Sequence, residues 1–215
     1  MTKKYRKFVD SEFDFIKGHA VPFTLLVRNA KGDIVGCLEA ITKRDAKDKA
    51  VIRDLKAWRQ KNQQAFPSQF NVTLKGTRIW FQTQLMDKKD RILFFVKDLD
   101  GNRVGHLGLY RFDYEQKACE IDNVIRGKSN APGIMTDALN TLILWTTKEL
   151  EVKKLYLSVF SDNPQAINLY RRCGFSDYKL IPLEKKVNGK VINWEENSQI
   201  DPKKAERSYL KMILA

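Results

Sequence analysis

Two stretches of the chain concentrate residues that can do chemistry. In Glu120-Ile-Asp-Asn-Val-Ile-Arg-Gly-Lys-Ser-Asn-Ala-Pro-Gly-Ile-Met135, two carboxylates lead into a loop holding two cations, Arg126 and Lys128, and two glycines, Gly127 and Gly133. The loop opens a helix, whose first amides point outward unpaired and whose dipole favours negative charge, so phosphate or pyrophosphate is the ligand it suits. The glycines allow close backbone approach to such an anion, although an ordinary glycine turn has the same composition. Glu120 and Asp122, two apart on a strand, share one face. His106 lies on the preceding strand, where a lone histidine is usually structural. The second stretch, Asp162-Asn163-Pro-Gln-Ala166-Ile-Asn-Leu169-Tyr170-Arg-Arg-Cys-Gly174-Phe175, starts a helix directly after a strand. Cys37, Cys119 and Cys173 are odd in number and widely spaced, which fits neither a disulfide framework nor a zinc site, and Cys173 reads as packing.

The elements that must position these residues follow from periodicity and turn residues. Phe23 to Arg28 and Ile34 to Thr42 are β-rich runs around Asn29-Ala-Lys-Gly-Asp33, an N-terminal hairpin. Ala46 to Gln64 has helical apolar spacing and is ended by Pro67; a second helix is expected from Thr73, its cap, to Met86. Arg91 to Lys97, Val104 to Phe112 and Ala118 to Val124 form an antiparallel block. Gly133 to Glu149 is an amphipathic helix, Lys154 to Phe160 a strand, and Asp162 to Arg172 a helix stopped by Gly174. The tail carries a hairpin turn at Asn188-Gly189 and a last strand at Ser208 to Leu214. The fold class expected is α+β, a mixed and mainly antiparallel sheet with helices on its faces.

The spacing Asn-x-x-Ala-x-x-Leu-Tyr-x-x-x-Gly-Phe from Asn163 to Phe175 resembles motif B of the GNAT superfamily, the acetyl-CoA-dependent N-acetyltransferases. In that family a preceding Gln/Arg-x-x-Gly-x-Gly/Ala loop cradles the pyrophosphate of CoA, and Arg126 to Met135 lies where it belongs. The match needs four extra residues, Ser129 to Pro132, and places Met135 at the last small position. The resemblance runs from about Cys37 to the terminal strand. It implies one domain over residues 1–215, with a 1–36 hairpin addition and a 37–215 acetyltransferase core. Tyr170 is implied as general acid toward the departing thiolate. Asn163 and Ala166 would hold the pantetheine arm, with Asn163 also a natural helix cap. Backbone at Asn123 and Val124 would hold pantetheine and polarise the acetyl carbonyl. Arg126, Lys128, Gly133, Ile134 and Met135 complete the CoA set. An attacking ammonium must first lose a proton, for which Glu120 is chosen and His106 is the alternative.

Ala57-Trp58-Arg59-Gln60-Lys61-Asn62 resembles the segment that faces the acceptor in GNAT enzymes acting on amino sugars of nucleotide carriers. Trp58, Arg59, Asn62 and, from the tail hairpin, Trp194 are therefore the substrate residues. The acceptor this implies is an amino group on a nucleotide-linked sugar, for glycan or surface-polysaccharide precursors. A protein N-terminal or ribosomal-protein acetyltransferase is the alternative, and a non-catalytic GNAT-like binding module is the alternative of another class.

Composition bounds the rest. In 215 residues, 39 Lys and Arg against 26 Asp and Glu give a net +13, dispersed and interleaved with acids rather than blocked. That pattern lacks the run of like charges typical of a nucleic-acid arm, and the Lys3 to Lys7 segment reads as a frayed solubilising end. With no long apolar run, a soluble cytoplasmic protein is expected, with acetyl-CoA and a small amine as partners and no nucleic acid, membrane or metal. The open edge at the last strand permits a homodimer.

Overall fold

A computed structural model describes residues 2–214, so Met1 and Ala215 lie outside the described residues. The strands are β1 (Thr24–Arg28), β2 (Ile34–Ala40), β3 (Ser68–Gln69), β4 (Ile92–Lys97), β5 (Arg103–Asp113), β6 (Ala118–Arg126), β7 (Lys154–Phe160), β8 (Ser176–Asn188), β9 (Val191–Glu196) and β10 (Arg207–Leu214). They form one sheet in the order β1-β2-β4-β5-β6-β7-β10-β8-β9-β3, so the last strand, expected to be an open edge, is paired on both sides by β7 and β8, and the edges are β1 and β3. Pairing is antiparallel except at β6–β7. The helices are α1 (Thr2–Gly18), α2 (Lys49–Lys61), α3 (Leu74–Trp80), α4 (Ile134–Lys148) and α5 (Pro164–Arg172). The α+β expectation matches this architecture. No helix among the described residues is long and apolar enough to cross a membrane.

Strand β4 shows why the layers form. Its alternate residues Ile92, Phe94 and Val96 enter one core with α1, α4 and α5, while Leu93 and Phe95 enter a second core with α2 and Phe81 to Met86. A strand buried on both faces reads as a continuous apolar run, as Ile-Leu-Phe-Phe-Val does. Thr73 caps α3 by accepting from the Gly76 amide at 3.0 Å. The helix then widens into a π-type turn at Phe81–Met86, so the segment from Thr73 to Met86 is helical but not uniform.

The N-terminal segment corrects the reading of Lys3 to Lys7 as a frayed end. Residues 2–18 are helix α1, with Tyr5, Val9, Phe13 and Ile16 buried on one face. Their spacing is helical, and burying Val9, Phe13 and Ile16 contributes about 1.5–3 kcal/mol each, while Lys3, Lys4 and Lys7 stay solvated on the exposed side of the helix. The Phe13 ring meets Phe112 edge-on at 5.5 Å, and Tyr5 donates to the Leu150 carbonyl at 2.7 Å. Lys17 is buried at the helix end and donates to the Leu85 and Lys88 carbonyls at 2.9 and 2.6 Å. Burial pulls its ammonium down to about 8. The expected boundary at 36/37 falls within β2, so the hairpin is continuous with the sheet.

Candidate active site

Strands β6 and β7 create the site by parting. Their parallel register runs only through Ala118–Lys154, Cys119–Leu155 and Glu120–Tyr156. Beyond it, Ile121 to Ile125 and Leu157 to Val159 line a cavity of about 1140 Å³. Backbone amides and carbonyls facing across such a gap need partners, and an extended ligand with its own amides can supply them. On its other side β6 bulges: His106 pairs with Ile125 and Gly108 with Asp122, leaving an extra residue on β6. Asn123 takes up the bulge in a left-handed conformation, φ 50°. A bulge re-aims the backbone next to it, here at Asn123 and Val124, both of which line the cavity.

The α4 end follows. Gly133 precedes the helix at φ 83° and no side chain caps it; the Thr136 amide donates to the Gly133 carbonyl at 2.9 Å, which leaves the Ile134 and Met135 amides free for an anion. Met135, Asn163 and Ala166 also line the cavity. Three other expectations for this end change. Arg126 lines the cavity but donates to the Lys128 and Ser129 carbonyls at 3.1 and 3.0 Å, bracing the long loop. Lys128 and Ile134 are not among the lining residues; Ile134 is core, with 4% of its surface exposed. The Gly127 and Lys128 amides both donate to the Val104 carbonyl at 2.9 Å, so they are spent within the fold. Gly127 is required for another reason: a Cβ there would lie 2.1 Å from the Trp58 ring.

Helix α5 opens with Asn163, whose side chain accepts from the Ala166 amide at 3.1 Å, and Pro164 follows it. The capping role is thus filled. Tyr170 faces the cavity from this helix and is buried against Phe175, ring centroids 6.2 Å apart. Burial pushes its phenol well above the ordinary range, so it remains a proton donor at neutral pH.

Of the two carboxylates on β6, Asp122 is committed. Its Oδ2 lies 2.6 Å from Arg91 Nε and its Oδ1 accepts from Asn123 Nδ2 at 2.7 Å. Glu120 has looser partners, Arg111 at 3.3 Å and Lys211 at 4.0 Å, and stays available to a ligand proton. His106 lines the cavity but is a weak base there: it is 2% exposed, and burial holds its imidazole down to about 4.

On the acceptor side Arg59 and Asn62 line the cavity from the end of α2, and Trp194 lines it from β9. Trp58 is corrected to a core residue, 4% exposed and edge-on to Phe95 at 6.4 Å; its neighbour at the next position points elsewhere because α2 is amphipathic. The sequence reading missed the roof. Strand β3 leaves the α2–α3 connection and pairs with β9, Ser68 with Asn193 and Gln69 with Ile192, while the Trp194 amide donates to the Pro67 carbonyl at 2.8 Å. Arg207 locks it, gripping Asp162 through Nε at 2.7 Å and Nη2 at 2.9 Å and reaching the Gln64 carbonyl at 3.0 Å. A two-residue strand leaves no periodicity to detect.

A splayed parallel pair, an adjacent bulge and an uncapped helix form a slot for an extended arm ending in phosphates. The description acetyltransferase (GNAT) domain matches residues 37–176. The chain belongs to the GNAT acetyltransferase family. Acetyl-CoA is the donor that goes with this family. Among its relatives, the spermidine N(1)-acetyltransferase of Vibrio cholerae is 28% identical over 97 residues, covering 45% of this chain and 56% of that one. The Escherichia coli K12 enzyme of the same name is 27% identical over 128 residues, 54% of this chain and 69% of its own. This chain therefore matches little more than half the length of the Vibrio cholerae relative. The solved spermidine N-acetyltransferase from Vibrio cholerae in complex with CoA and spermine shares the fold, with TM-score 0.61 and 18% identity, covering 82% of this chain and 93% of that one. These three are spermidine enzymes, and they lend no support to the amino-sugar branch.

Proposed function

We propose that this protein transfers the acetyl group of acetyl-CoA to a primary amine on a small acceptor, by direct attack with both ligands bound. The observation that carries this is one cavity shared by Tyr170, Glu120, the Asn123–Val124 bulge and the open start of α4. Acetyl-CoA supplies the acetyl group as a thioester. Glu120, directly or through water, takes the proton that the acceptor ammonium must lose. A backbone amide at the bulge faces the acetyl oxygen and stabilises the charge that builds there. Tyr170 returns a proton to the departing sulfur.

The roof of β3 on β9 supports a small acceptor over the side chain of a folded protein. For its identity we retain an amino group on a nucleotide-linked sugar. Asp122 is already tightly ion-paired to Arg91, so a polycation entering here would find Glu120 as the one loosely held carboxylate on β6. The names of the relatives favour a second reading, a polyamine. Thiol release from acetyl-CoA with nucleotide amino sugars, spermidine, free amino sugars and N-terminal peptides separates the readings. Turnover on spermidine alone would replace the sugar, and turnover on peptides alone would replace the small acceptor. Failure of acetyl-CoA to raise the melting temperature at millimolar concentration would turn the chain into a non-catalytic module.

A further inference from the structure

Among the described residues three buried side-chain atoms have no hydrogen-bond partner: Arg59 Nη1, His106 Nδ1 and Trp194 Nε1. All three residues line the same cavity. Buried polar groups are nearly always partnered, so orphans gathered at one cavity mark places where a ligand completes the set. Arginine and tryptophan can only donate, so what they lack is an acceptor. Both sit against the strap that starts β3. Arg59 Nη2 donates to the Ser68 carbonyl, and the Trp194 amide donates to the neighbouring Pro67 carbonyl at 2.8 Å.

Charge sharpens the point. Of the arginines lining the cavity, Arg91 and Arg111 have carboxylate partners, Arg126 is spent on loop carbonyls, and Arg59 and Arg172 have no carboxylate among the described residues; of these Arg59 alone holds a buried guanidinium nitrogen without a partner. Its guanidinium lies instead over the rings of Phe66 at 3.9 Å and Phe70 at 5.2 Å. Burial lowers it only to about 10, so it keeps its charge at neutral pH. A desolvated guanidinium without a counter-ion is costly unless a ligand brings one.

We infer that Arg59, with the Trp194 indole, is a specificity-determining subsite for a phosphate group carried by the acceptor amine. This rests on the acceptor reading above and deepens it, since a polyamine has nothing to offer this guanidinium. Arginine is suited to the task because its planar donors match phosphate oxygens with charge-assisted bonds.

The test is calorimetric binding of glucosamine 1-phosphate and of glucosamine to the protein saturated with CoA. The wild type should bind the phosphorylated sugar at least ~10-fold more tightly. In Arg59→Gln that ratio should collapse to about 1, in Arg59→Lys part of it should return, and in Trp194→Phe it should be intermediate. No preference in the wild type, or a full preference surviving in Arg59→Gln, overturns the subsite. If Arg59→Gln misfolds through loss of its Ser68 contact, Arg59→Lys and Trp194→Phe carry the test, and a full preference in both overturns the subsite. Thiol release separates the two levels: transfer to amines without a phosphate preference sinks the subsite alone, whereas the preference without transfer supports the subsite and sinks the enzymatic reading.

Discussion

Tyr170 and His106 face one cavity, and burial leaves both neutral there with opposite consequences. The Tyr170 phenol is lifted above its ordinary value near 10, so it stays protonated through the working range. Tyr170→Phe should lower kcat by ~10²-fold or more while CoA affinity changes little. The kcat profile should show no alkaline fall from this group up to about pH 10; a fall with apparent pKa under 9 that vanishes in Tyr170→Phe would contradict the role. His106 is held at about 4 against 6.5 when unfolded. Between those values the unfolded chain binds more protons, so stability falls as pH drops from 6.5 toward 4. The loss is about 2 kcal/mol by pH 4.5. Urea midpoints at pH 7 and 4.5 should therefore differ less in His106→Gln than in the wild type; an equal difference would mean that His106 is not the titrating group. The carboxylates were legible as a pair on β6, but not which one is free, because Arg91 comes from a distant segment.

At the scale of elements, the slot depends on where pairing stops. Motif B, its Asn163 cap and the strand Lys154–Phe160 were legible because caps, prolines and apolar runs are local signals. Helix α1 carried the same kind of signal in Tyr5, Val9, Phe13 and Ile16, obscured by the basic cluster Lys3 to Lys7 at its start. The bulge at Asn123 and the roof were not legible, since both arise from partners far away in sequence. The roof should be the most easily opened part of the site, as β3 contributes only Ser68 and Gln69 to the sheet. Arg207→Gln removes the bidentate hold on Asp162 and should raise the acceptor KM several-fold more than the acetyl-CoA KM. Amide exchange at Ser68 and Gln69 should quicken; unchanged exchange would show that β3 holds without the lock.

Seen whole, the molecule is a ten-stranded sheet with a core on each face, parted at its middle where its two parallel strands diverge. The class of fold and the order of its main elements were readable from periodicity, and the donor from motif B. The acceptor was not, because its wall is assembled from α2, β3 and β9, which meet only in the folded chain. The +13 charge is dispersed over the molecule. The uncapped start of α4 and the buried Nη1 of Arg59 leave donors unused at the cavity. The most direct measurement of the account is steady-state thiol release by purified protein with acetyl-CoA, with and without amines, alongside Tyr170→Phe. The expected result is release that requires an amine, saturates in both ligands, yields the acetylated amine and nearly disappears in the variant. Release indifferent to every amine, or no response to acetyl-CoA at all, would contradict it.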